Sequence, residues 1–126
     1  MSAGFRDLER EGMAKSAIPD ALKRRHLMEQ EADAKQSVAL ADVYLAEGRV
    51  QESLFFLAKA EAWGRLEEIG EAAVTEGDAF LLKQVGDLLR REYDAAVWLS
   101  LADSADAHGK ELYAEVARRH ARSSEA

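Results

Sequence analysis

Apolar residues recur along this chain at intervals of three and four, the spacing that lines one side of a helix. Val50, Leu54 and Leu57 make one such stripe, followed by Leu66, Ile69 and Ala73, then Leu81, Val85 and Leu88, then Leu112, Val116 and Ala117. Phe56, Ala60 and Trp63 add a second stripe beside the first, the pattern of a helix packed on two sides. Between the stripes glycine returns in like settings, "REGM" at Gly12, "AEGR" at Gly48, "TEGD" at Gly77 and "AHGK" at Gly109. Glycine adopts the left-handed conformation that closes a helix without steric cost. Stripes and stops together predict helices over residues 35–47, 50–62, 65–76, 79–91, 94–107 and 110–122.

The last three glycines lie 29 and 32 residues apart, a period that suits two helices and a turn. The six helices therefore read as three antiparallel αα-hairpins stacked in an all-α array, the repeat domain spanning residues 35–122 with a short tail at 123–126. Residues 1–34 depart from this rhythm. Pro19 suits the first turn of a helix, and "DALKRRHLMEQEADAKQ" is rich in helix formers but weakly amphipathic. The expectation is an N-terminal helical cap, either a divergent hairpin or one long docking helix.

Composition agrees with this picture and narrows it. At 126 residues and 48% hydrophobic the chain suits one folded domain, and a single proline favours helices. The absence of cysteine excludes disulfides, thiolate catalysis and Cys-based zinc sites. No apolar run approaches the roughly 20 residues that cross a bilayer, and "MSAGFRDLEREG" lacks the basic-then-apolar order of a secretory signal. A soluble, cytoplasmic protein without membrane contact is expected. Net charge is −7, which repels phosphate backbones and argues against nucleic acid as a partner. The acidity is concentrated in the middle, since Glu29 to Asp87 holds 13 acidic and 5 basic residues.

With these segments in view, the repeat region resembles the tetratricopeptide repeat, whose signature runs W-x2-L-G-x2-Y and then A-x3-F. "SVALADVY" supplies Ser37, Leu40, Ala41 and Tyr44, followed after the turn "EGRVQES" by Ser53 and Leu57. "LEEIGEAA" matches with Leu66, Ile69, Gly70 and Ala73, and "LKQVGDLL" with Leu82, Val85, Gly86 and Leu89, although the glycine register puts this last segment on the second helix of a hairpin. The resemblance implies a right-handed stack of hairpins that binds a peptide or helix on a concave face lined by the first helix of each hairpin. Carried onto matching positions, that face holds Lys35, Asp42 and Leu45 from the first hairpin and Glu67, Glu71 and Val74 from the second, with Tyr44 offering apolar contact. The family's carboxylate clamp uses asparagine, which this chain lacks entirely, so a basic segment is the expected ligand.

Candidates for chemistry are sparse. His26, His108 and His120 are scattered, with no spacing that sets two ligands on one helical turn. His26 and His120 each follow two arginines, which depress an imidazole pKa and discourage metal binding. Asp103 and Asp106 share a helix face, and no glycine-rich phosphate loop is present. A non-enzymatic adaptor without cofactor or metal is the leading expectation. The alternative is a self-assembling helical protein joined through Phe5, Leu8, Tyr113 and Val116, or a homodimer in which the basic clusters Lys23, Arg24 and Arg25 and Arg118, Arg119 and Arg122 meet the acidic middle of a second copy. A third reading places a small-molecule pocket at Phe55, Phe56 and Trp63.

Overall fold

The computed structural model describes residues 17–125, with side chains from Ala21 onward. Six helices follow in order, α1 Ala17–Ala46, α2 Val50–Lys59, α3 Trp63–Glu76, α4 Ala79–Leu89, α5 Ala95–Ala107 and α6 Glu111–Glu125. The described residues form no strand. From α2 onward each boundary lies within three residues of its expected place. The first helix differs more. Residues 35–47 are the C-terminal part of a 30-residue helix, because no glycine or proline interrupts the chain between Pro19 and Gly48. The chain has two compact units, dividing between Gln36 and Ser37. Gly12, Phe5 and Leu8 lie outside the described residues.

One turn geometry joins all the helices. At Gly48, Gly77 and Gly109 φ is +78°, +78° and +72°, and the next amide donates to the carbonyl five residues back, Arg49 to Tyr44 at 2.8 Å, Asp78 to Ala73 at 2.9 Å and Lys110 to Ala105 at 2.8 Å. This left-handed cap satisfies carbonyls that a helix end leaves open. The two intervening turns use the same bond without glycine. Glu61 and Arg90 have φ of +56° and +55°, and Ala62 and Arg91 donate to Leu57 and Gly86, each at 2.9 Å. Glycine thus closes α1, α3 and α5, and an exposed charged residue closes α2 and α4. Helix starts are secured where aspartate is available, with Asp78 accepting from the Leu81 amide at 3.0 Å and Asp94 from the Val97 amide at 3.1 Å.

Within the unit from Ser37 onward, α3 packs against α4 and α5 against α6, while α3 also meets α5, α2 meets α4, and α4 meets α6. The core that results is built from leucines and many alanines. Leu54, Leu57, Leu66, Leu82, Val85 and Leu101 are buried, and Ala114, Ala117 and Ala121 form the buried stripe of α6. That stripe corrects the expected one. Leu112 is 74% exposed and Val116 only half-buried, because alanine at every third or fourth position brings α6 close to Ala102 and Ala105 of α5 and turns the larger residues outward. Tyr113 is likewise packed in part against this core.

Hairpin spacing depends on one close approach. A Cβ on Gly77 would sit 2.5 Å from the Ala105 amide nitrogen, so the α3–α4 turn rests directly on α5. Lys110 adds a bond from its ammonium to the Glu76 carbonyl at 2.9 Å, holding the same helix end. Gly48 shares the φ of Gly77 but has nothing within 4 Å of the equivalent position. Gly48→Ala should therefore cost about 1 kcal/mol, the left-handed strain alone. Gly77→Ala adds overpacking against backbone and should cost about 3 kcal/mol or more, a difference that urea unfolding of the two variants will read directly.

Candidate partner-binding groove

The groove begins with a glycine. Gly70 lies inside α3, where it weakens the helix slightly but leaves its face bare. Tyr93, in the link between α4 and α5, reaches into that space. A Cβ on Gly70 would lie 3.2 Å from the Tyr93 hydroxyl oxygen and 3.3 Å from Val85 Cγ1, and one on Gly86 would lie 2.9 Å from the Arg91 carbonyl and 3.0 Å from the Tyr93 ring. Two glycines on neighbouring helices therefore seat one tyrosine. Burial pushes the Tyr93 pKa up, with Arg91 acting against that, so the hydroxyl remains a neutral hydrogen-bonding group.

Beside Tyr93 a cleft of about 580 Å³ opens between α3 and α5. Gly70, Val74, Leu82, Ala96 and Val97 give it an apolar lining, while Glu67, Glu71, Ser100 and Arg91 supply the polar groups. Arg91 forms an ion pair with Glu67, and its guanidinium carbon lies 6.0 Å from the Tyr93 ring centre. Glu71 belongs to no ion pair among the described residues, so its charge faces the cleft uncompensated.

Of the residues expected on a binding face, Glu67, Glu71 and Val74 come together in this cleft. Asp42 lies on α1 and is bound by Arg65 of α3 at 2.5 Å, and Leu45 is half-buried near it in sequence. Both arginines reduce the bare acidity expected of this face. Tyr44 has a different task. It stacks on Phe56 of α2 at 5.4 Å with planes 10° apart, and the Arg49 guanidinium lies 4.8 Å from its ring centre, so it is held inside the first hairpin. Lys35 is exposed and belongs to the other compact unit. Arg91, Tyr93, Ala96, Val97 and Ser100 were not legible as groove residues; the glycines inside α3 and α4 are the signal that something large approaches there.

The aromatic cluster at the first hairpin is arranged differently. Phe56 is occupied by Tyr44, Phe55 is 64% exposed and meets Phe56 edge-on at 5.3 Å, and Trp63 is exposed at the start of α3. Of Asp103 and Asp106, Asp106 is ion-paired with Arg118 of α6.

A second cleft, about 410 Å³, lies between α4 and α6 and is lined by Lys83, Arg90, Tyr93, Trp98, His120 and Ser124 among others. His120 stacks on the buried Trp98 at 4.3 Å with planes 20° apart. The Ser124 hydroxyl meets the carbonyls of Tyr93 and His120 at 3.2 and 3.1 Å, fixing the end of α6. The His120 pKa is lowered, as its arginine neighbours suggested, but burial is the main cause, then Lys83, and only then Arg119. No three His, Asp or Glu side chains converge on a metal position among the described residues, and no described helix is long and apolar enough to cross a membrane. Comparison with protein-family models, curated proteins and solved structures found no match to the chain.

His120 has a lower pKa folded than unfolded, so the unfolded state takes up its proton first as pH falls. Its contribution to stability is complete above the ordinary histidine value of about 6.5 and is lost as pH drops through the depressed folded value. The drop in urea midpoint between about pH 7.5 and pH 5 should be smaller in His120→Gln than in the wild type. Equal drops would show that the stacked ring is not what protonation disturbs.

Proposed function

We propose that this chain is a non-catalytic adaptor that docks a peptide or helical segment of another protein in the groove between α3 and α5, on a tetratricopeptide-like stack of hairpins. The observation that carries this reading is the groove itself, apolar along its floor and bearing at its side Glu71, a carboxylate in no ion pair among the described residues. Apolar surface with few placed polar groups is the composition of sites that take side chains from a partner. The stacked reading is supported by the repeated turn bond and by packing of α3 on α5, α2 on α4 and α4 on α6. In such a stack the odd-numbered helices share one face, and Asp42, Glu71 and Asp103 each fall six residues before the glycine that ends their helix.

The groove suits a segment with a small or branched apolar residue for the surface of Val74, Ala96 and Val97, and a lysine or arginine one turn away for Glu71. Glu67 is already answered by Arg91, so specificity for charge rests on Glu71. A library of basic amphipathic peptides screened by fluorescence anisotropy should yield binders that Glu71→Lys weakens about tenfold, the effect of a charge reversal beside a partly desolvated pair. Ala96→Glu, at an exposed position on the opposite wall, should abolish the same binding while leaving the helical circular dichroism unchanged. Binders indifferent to both substitutions would place recognition elsewhere on the protein.

A further inference from the structure

The groove already holds one basic residue, and that residue belongs to the chain itself. Glu67, Gly70, Glu71 and Val74 share one face of α3 by their helical spacing, and all four line the groove. The two carboxylates are four residues apart, about 6 Å along the axis, an arrangement in which like charges repel. Arg91, from the link between α4 and α5, pairs with Glu67, while Glu71 belongs to no ion pair among the described residues.

This pair can be exchanged. The Arg91 and Glu67 side chains are each 46% exposed, so water reaches the bond and a competing cation replaces it at little cost. Arg91 borders the α4–α6 cleft as well as the groove. That cleft is lined by two further carboxylates, Asp87, which Lys83 holds at 3.0 Å, and Glu92, which belongs to no ion pair among the described residues. The Arg91 amide is fixed to the Gly86 carbonyl at 2.9 Å, so only the side chain needs to move. A guanidinium released from Glu67 thus meets another carboxylate on the far side of its own link.

We infer that Arg91 is a self-supplied occupant of the groove, holding Glu67 in reserve for a second basic residue of the partner, so that the full ligand is a helical segment with two lysines or arginines one turn apart beside its apolar anchor. The inference rests on the groove being the docking site proposed above and adds what that site selects. A ligand with one basic residue meets Glu71 and leaves Arg91 in place. A ligand with two, spaced as Glu67 and Glu71 are, takes both carboxylates and sends Arg91 toward Glu92. Until it arrives, Arg91 relieves the repulsion between the two glutamates.

Three amidated helical peptides with the same leucine anchor test this by fluorescence anisotropy, one with a single lysine, one with two lysines four residues apart, and one with two lysines two residues apart. The last two have equal charge and differ only in spacing. Arg91→Gln removes the occupant and keeps the backbone bond, so its helical circular dichroism should match the wild type. It should bind the four-apart peptide about tenfold more tightly than the two-apart peptide, whereas the wild type, which must first displace Arg91, should separate them by about threefold or less. Adding Glu67→Gln to Arg91→Gln should erase the preference. In the wild type the Arg91 Nε resonance should shift when the four-apart peptide binds and stay in place with the single-lysine peptide. Equal affinity of Arg91→Gln for the two spacings, or an Arg91 resonance that ignores the bound four-apart peptide, would overturn the inference while single-lysine binding that remains sensitive to Glu71→Lys keeps the groove reading intact. Failure of every peptide to bind any of these proteins would sink the groove reading and the inference together.

Discussion

A hydrogen bond from one amide to the carbonyl five residues back sets the course of the chain from α1 to α6. It requires a residue with positive φ just before the donor, and it reverses the chain within two or three residues. Helices joined that way have little freedom to splay, so each must find its neighbour within a few residues of its own end. At Gly77 the turn has a second duty. Its missing side chain lets the loop touch α5, and the distance between two hairpins follows from that contact. The turns at Glu61 and Arg90 meet the same requirement at a cost of about 1 kcal/mol each, because a side chain is present in the left-handed region.

Small residues recur wherever this protein brings elements together. Alanine lines α5 and α6, and glycine makes room for Tyr93 on two helices at once. Large residues then act as spacers. Trp98 is buried against His120, and Tyr93 meets Trp98 edge-on at 6.4 Å. The groove is the space left beside this arrangement, where α3 presents glycine at the level of Tyr93 and Glu71, in no ion pair among the described residues, stands beside an apolar floor.

The helices were legible because each carries its own signals, apolar spacing within and glycine at the end. Their ends at Lys59 and Leu89 came earlier than expected, since Glu61 and Arg90 close helices without the residue that announces such a turn. The buried stripe of α6 was misjudged for a related reason. Periodicity favours the largest apolar residues, whereas close helix packing selects the smallest, and Ala114, Ala117 and Ala121 beat Leu112 to the interior. Half of the groove could be read from α3 alone. Its other wall depends on Tyr93 and α5 arriving opposite Gly70, a tertiary event that no local pattern records. Tyr44, expected to offer apolar contact, also stacks on Phe56, a pairing that the local pattern does not announce.

The packing order of the helices also bears on how the chain reaches its native state. From α2 to α6, each contacting pair consists of helices adjacent in sequence or separated by one. Contacts therefore join residues a modest distance apart along the chain, and little loop entropy must be surrendered before they form. A hairpin can assemble on its own turn and offer its face to the next. Such a topology belongs with the fast folders, and its nucleus can form wherever a pair of helices first closes.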